Sequence, residues 1–206
     1  MEEENEFSET EAVKKANAKK NRQKKEKTKL MEWVETALYA LVAIGLAWLF
    51  VTFVAQRTVV DGSSMSPTLS DGDNVITDKI TYRFKDPERF DIIVFPHTDT
   101  VTGNTVAYIK RIIGLPGETL LLKDGQVYIN GELLDDPYGV MDVNDGEIWD
   151  EEFTLGDDEY FVLGDNRTTG GSYDSRYKGV GLIKRDDIIG RAIFRIWPLS
   201  EFGSLG

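Results

Sequence analysis

The sequence predicts a mainly β chain: an antiparallel-sheet domain behind one N-terminal transmembrane helix. Three observations predict it. "TALYALVAIGLAWLFVTFVA", residues 36–55, runs for 20 residues without a charge. Past Arg57 the chain breaks into short runs rich in Val, Ile, Tyr and Phe, punctuated by Gly, Pro, Asn and Asp. Helical periodicity is scarce beyond the uncharged run.

The elements follow in order. Residues 1–12 are acidic, and residues 13–30 carry nine basic residues against Glu26. Neither block has a sustained apolar face, so residues 1–30 read as a disordered, solvated tail whose lysines can touch anionic lipid headgroups. Residues 31–56 form the predicted anchor. At about 1.5 Å per residue the uncharged run covers ~30 Å, the thickness of a bilayer core. It is longer than the roughly 7–15-residue apolar stretch of a cleaved signal peptide and lacks a small-residue cleavage pair at its end. The basic flank lies on the N-terminal side, which places residues 1–30 in the cytoplasm and residues 57–206 outside it.

The outer domain, residues 57–206, supplies the strands. "RTVV" (57–60) is extended, and "NVITDKI" (74–80) alternates. "FDIIVF" (90–95) reads as a strand ended by Pro96, and "TVAYIKRII" (105–113) as a long β-branched one. "GQVYINGELL" (125–134) reads as a hairpin, because Asn-Gly is the favoured two-residue turn between apolar flanks. "EYFVLG" (159–164) and "DIIGRAIFRIW" (187–197) complete the set. In "GLPGET", Pro116 and Gly117 fit the centre of a type II turn. Residues 135–158 are acidic and turn-rich, and read as an exposed excursion. Their spacing does not match an EF-hand loop, so solvated charge explains them better than calcium.

Composition excludes several chemistries. There is no cysteine, so disulfides, thiolate catalysis and cysteine-ligated zinc are ruled out. A net charge of -12, from 24 basic and 36 acidic residues, is the opposite of a nucleic-acid binder's balance. The single histidine, His97, falls in "FPHTDT" and reads as an exposed loop residue. No metal and no cofactor is expected.

A serine nucleophile then needs another base. "DGSSMSPTL" (61–69) offers three serines, and lysine is the available proton acceptor. A free lysine titrates near ~10.4, so it must be desolvated to be neutral at working pH. Lys110 lies in the most apolar setting of any charged residue in the outer domain. On a strand, Tyr108, Lys110 and Ile112 share one face and Ile109, Arg111 and Ile113 the other. From the residues alone two readings stand: a buried base, or a strand lysine lying along the surface. In "LGDNRTTGGSYDSR" (163–176), Asp174 and Arg176 can pin a loop and Ser172 can orient a lysine, and a plain polar loop is the alternative. Ser175-Arg176-Tyr177-Lys178 matches S-x-x-K, but without the partner motifs of penicillin-recognising enzymes it reads as chance.

Taken in order, "GSSMSPTL" (62–69), "DGDNV" (71–75), "YIKRIIGLPGE" (108–118) and "GDNRTTGGSYDSR" (164–176), after an N-terminal anchor, resemble the bacterial type I signal peptidases of the Gram-positive kind. The resemblance covers nearly all of residues 31–197. It implies the signal-peptidase-like β fold and cleavage of signal peptides from exported preproteins, with the lipid bilayer and the export machinery as candidate partners. It implies Ser64 as nucleophile and Lys110 as general base. Ser64 and Gly62 would form the oxyanion site, although Gly62 brings no hydroxyl. Ser172 would orient the lysine, and Asp174 and Arg176 would pin the loop. Val60, Met65, Leu69, Tyr108 and Ile109 would line pockets for small residues at positions -1 and -3. Three departures from the family pattern stand out: a loop two residues longer before Ser172, Glu118 in place of aspartate, and Asp61 beside the serine motif. Self-cleaving stress-response repressors share such a dyad but lack an anchor. A peptidase-like surface protein dedicated to pilus assembly is the alternative, as a chaperone or a narrow-specificity peptidase.

Overall fold

The computed structural model describes residues 29, 31–99, 102–139, 146 and 151–205. The predicted tail and much of the acidic excursion therefore lie outside the described residues. The chain divides into two units, residues 1–50 and 51–206. The apolar run forms helix α1, Met31–Phe53, which is long and apolar enough to cross a membrane. It stops short of the expected residue 56. Ala55 and Gln56 instead join the first strand, where they pair with Asp78 and Thr77.

Twelve strands follow among the described residues: β1 Ala55–Val59, β2 Asn74–Asp78, β3 Ile92–Thr98, β4 Thr105–Gly114, β5 Thr119–Lys123, β6 Gln126–Ile129, β7 Glu132–Leu133, β8 Phe153–Thr154, β9 Glu159–Leu163, β10 Ile183–Lys184, β11 Gly190–Trp197 and β12 Gly203–Ser204. The larger sheet runs β1-β2-β11-β3-β4-β9-β10, with β12 on β11; the smaller runs β7-β6-β5-β8. Every described pairing is antiparallel, as the alternating runs require.

Period-two alternation sorts the strand side chains into separate cores. Ile92, Val94 and Ile109 join Val60, Met65, Leu69 and Val75 on one side. Ile93, Phe95, Ile112 and Val162 pack on the other, with Tyr108 against them. Ile113, Phe161 and Leu163 turn towards Leu120 and Val127 of the smaller sheet. Burying such a side chain is worth roughly 1.5–3 kcal/mol, so a one-residue slip of β4 would forfeit several such terms.

Local chemistry sets the turns. Asn130 and Gly131 both take positive φ (52° and 81°), the geometry of the tight hairpin between β6 and β7. Gly117 sits at φ 76°, and the Glu118 N–H donates to the Leu115 carbonyl at 3.1 Å, closing the Pro-Gly turn after β4. Two expectations are corrected. Pro96 does not end its strand; β3 continues to Thr98, with Pro96 opposite Ala107. Strand β11 reaches β3 only at Ile93 and Val94, so the missing N–H of Pro96 faces no ladder partner. The acidic excursion is also partly built in. Phe153 pairs with Leu120, Leu155 is buried, and Asp136 is ion-paired to Arg167.

Candidate active site

Three segments meet at one cleft of about 210 Å³: residues 60–65, residues 107–110 of β4, and Gly171 with Tyr173 from the loop after β9. The serine loop is laced to the turn behind it. The Val60 N–H donates to Asp73 O (2.8 Å), and the Gly72 N–H donates to Val60 O (2.9 Å). Gly62 stands at φ 88°, a left-handed conformation that favours glycine. Met65 and Leu69, both fully buried, anchor the far end of the loop. Ser64 is thereby presented to the cleft, its carbonyl accepting the Asn166 N–H at 3.0 Å.

Lys110 approaches from β4. Its Nζ donates to Ser64 Oγ at 2.8 Å and to its neighbour's carbonyl, Ile109 O, at 3.0 Å. The residue is only 3% exposed. Burial lowers the Lys110 pKa from 10.5 to about 8; Asp174 and Asp165 pull it back up, and Arg176 lowers it further. No carboxylate is ion-paired to Lys110 among the described residues. The lysine thus has the desolvated surroundings a neutral amine needs. Tyr108, one turn of the pleat away, lies with its ring 4.9 Å from Nζ.

Charged pairs brace this arrangement from the other side. Arg111 grips Asp165 through both oxygens (2.8 and 2.7 Å), donates to Phe90 O, and stacks on the Tyr138 ring at 3.6 Å. Asp174 holds Arg176 (2.8 and 2.9 Å) and accepts the Gly164 N–H (3.0 Å), all without exposure to solvent. Arg167 donates to Gly164 O at 2.6 Å and reaches Asp136.

The site's chemistry and the sequence comparisons converge. A model of the signal peptidase, peptidase S26, family matches residues 30–197. The chain belongs to the peptidase S26 family. It is 41% identical over 186 residues to the probable signal peptidase I-2 of Synechocystis sp., covering 88% of this chain and 81% of that protein. Identity to signal peptidase I of Leptolyngbya laminosa is 41%, covering 89% and 88%. Identity to signal peptidase I S of Bacillus subtilis is 36%, covering 85% and 93%. Within this serine endopeptidase family, Ser64 and Lys110 are in direct contact here.

The structure revises other positions. Val60, Met65, Tyr108 and Ile109 line the cleft, but Leu69 does not; it points into the core, packed with Met65 and Val75. The Gly62 N–H is turned away to the Asp71 carboxylate at 2.8 Å, so it is not a free oxyanion donor. The Ser64 N–H makes no hydrogen bond among the described residues. Ser172 is buried, yet among the described residues its hydroxyl has no hydrogen-bond partner and does not reach the lysine. It faces Gly164, where an added Cβ would stand 2.3 Å from both Ser172 Oγ and Ser64 O. The loop before Ser172 is turned by glycines: Gly170 has φ 69°, and a Cβ on Gly171 would strike Asn166 Oδ1 at 2.4 Å. Glu118 is also used, accepting the Leu115 N–H at 2.8 Å and pairing with Arg89. His97 is no loop residue; it lies in β3, half-buried and stacked on Tyr108 at 4.4 Å. Asp165 and Tyr173 were not singled out from sequence, because their partners lie far along the chain.

Proposed function

We propose that this chain is a single-pass membrane endopeptidase that removes signal peptides from exported preproteins, with Ser64 as nucleophile and Lys110 as general base. The observation that carries the reading is the 2.8 Å contact between a buried lysine and a serine at the cleft. With its pKa at about 8, roughly a tenth of Lys110 is neutral at pH 7 and most of it at pH 9. The neutral amine takes the Ser64 proton as Oγ attacks the scissile carbonyl. The Ser64 N–H donates to the oxyanion, an interaction worth about 3–4 kcal/mol. The resulting ammonium then protonates the leaving amine, and water hydrolyses the ester under the same base.

Val60, Met65, Tyr108 and Ile109 support the substrate assignment, since a cleft this small, walled on that side by apolar side chains, admits Ala and Ser side chains more readily than large ones. Asp174 and Arg176 act as support: they hold the Gly164 segment on which Ser172 and the Ser64 carbonyl rest. Helix α1 is the anchor, with the basic block on its cytoplasmic side and the catalytic domain outside. Tethering at the plane where preproteins emerge replaces a three-dimensional search by local encounter. A non-catalytic role in pilus assembly is not favoured, because the serine and lysine are both present and in contact.

The test is cleavage of a preprotein with Ala at -3 and -1 by the full chain in membranes. Ser64→Ala and Lys110→Ala are each expected to abolish it while leaving the fold intact; normal cleavage by either variant overturns the dyad. A protease added outside intact cells is expected to degrade residues 57–206 and spare the N-terminal tail; the reverse pattern inverts the topology.

A further inference from the structure

One residue marked in the sequence has no part in the proposed mechanism: Asp61, beside the serine motif. It is the one carboxylate among the described residues that line the cleft, and it is exposed, whereas its neighbour Val60 is only 4% exposed. The Asp61 carboxylate has no ion pair and no hydrogen bond among the described residues. The other carboxylate at this corner, Asp71, is committed to the Gly62 N–H. The charges that act on Lys110 are Asp174, Asp165 and Arg176; Asp61 is not one of them. Asp61 thus sets a negative charge on the cleft rim, separate from the dyad.

Backbone geometry says which substrate side chain meets that charge. Strand β1 is an end strand of the larger sheet. Just past it, the Val60 N–H and carbonyl are both taken up by the turn behind, at Asp73 and Gly72. Alternation then aims the Asp61 N–H and carbonyl the other way, and neither has a partner among the described residues. On β4, residues 105–110 pair with β3 alone, because β9 joins only from Arg111. The cleft is therefore bordered by open backbone at Asp61 and along β4, a seat for an extended peptide. Side chains of such a peptide alternate between faces. Val60, Met65 and Ile109 share one core cluster and form the wall assigned to the -1 and -3 side chains. The -2 side chain, between those two, turns to the opposite face. Asp61 turns to that face as well, being the exposed residue after inward Val60.

We propose that Asp61 is a specificity-determining residue for position -2 of the preprotein, favouring a basic side chain there and disfavouring an acidic one. The inference rests on the peptidase reading above.

The experiment uses the full chain at low salt in uncharged lipid vesicles, which do not concentrate basic substrates at their surface. Three preprotein segments carry Ala at -3 and -1 and differ only at -2, which is Lys, Gln or Glu. The wild-type chain is expected to cleave the Lys segment with a kcat/KM about three- to tenfold above the Glu segment, the range of an exposed charge gained on one side and repelled on the other, with Gln between. About 1 M salt, where the Debye length falls to about 3 Å, is expected to shrink that ratio. Asp61→Asn is expected to bring it below about twofold, and Asp61→Lys to reverse the order, as removal and inversion of a single exposed charge require. Equal cleavage of the three segments by the wild-type chain overturns the inference, as does a Lys-to-Glu ratio that survives Asp61→Asn. An equal preference for a lysine moved to -4 or to +1 overturns the assignment to -2. A wild-type chain that cleaves none of the segments overturns the peptidase reading itself.

Discussion

Two neighbouring cations on β4 have opposite fates. Lys110 and Arg111 are adjacent, both nearly without solvent exposure, and point to opposite faces of the same strand. Arg111 meets a carboxylate in a two-pronged pair, a carbonyl and an aromatic face. Lys110 meets a neutral hydroxyl, a neutral carbonyl and the face of the Tyr108 ring. The difference teaches that burial alone does not make a base. Burial with a full set of anionic and dipolar partners makes a structural cation. Burial without an ion-paired carboxylate drives the group towards its neutral form, and only a lysine can respond, since a guanidinium keeps its proton.

The sharpest way to break the comparison is to remove the paired cation. Arg111→Met is expected to destabilise the outer domain by about 3–5 kcal/mol, because it leaves the Asp165 carboxylate buried without its partner. Denaturant unfolding of the detergent-solubilised chain measures this, and a change under about 1 kcal/mol would mean that Asp165 is compensated elsewhere.

Removing the unpaired cation is expected to do the reverse. The gap between about 8 and the ordinary 10.5 corresponds to roughly 3 kcal/mol of penalty on charged Lys110 in the folded state. The folded chain releases this proton near pH 8 and the unfolded chain near 10.5. Between those values the unfolded chain holds more protons, so the lysine's destabilisation is full below pH 8 and fades as the pH rises towards 10.5. Lys110→Met is therefore expected to stabilise the domain by up to about 3 kcal/mol at pH 7 and by little above pH 10.5. Unfolding curves at the two pH values decide it. Under the proposed mechanism the same titration governs activity: cleavage is expected to rise with pH through a midpoint near 8, and a profile flat from pH 6 to 9 would sink the lysine as base.

The smallest effect is expected at the other serine. Ser63 lines the cleft, but its carbonyl is the part that is used, accepting from Asn166 Nδ2 at 3.2 Å and from the Ser66 N–H at 3.1 Å. Ser63→Ala keeps that carbonyl, so kcat/KM is expected to stay within a few-fold. A loss equal to that of Ser64→Ala would reassign the nucleophile.

Much of this was legible in the residues. The uncharged run predicted α1, and the β-branched alternation of "TVAYIKRII" predicted both β4 and the opposite facing of Lys110 and Arg111. Asn130-Gly131 and Pro116-Gly117 predicted their turns through backbone preference alone. These features depend on neighbours a few positions apart, which is the range over which sequence patterns act. Other features depend on distant partners. Arg111 finds Asp165 54 residues on, and Arg167 finds Asp136 31 residues back. Leu69 was expected at the pocket, but its place under Met65 and Val75 was set by how the serine loop packs.

The sequence by itself determined the kinds of group available: an apolar run long enough to cross a membrane, no thiol, one histidine, and a serine loop and lysine strand within the stretch that the family model matches. Tertiary structure alone decided what those groups experience. It brought Nζ to 2.8 Å from Ser64 Oγ, turned the Gly62 N–H onto Asp71, and left Ser172 facing Gly164. The physical reason is that covalent identity travels with the chain, whereas a pKa or a free donor is a property of the surroundings, and only folding assembles those.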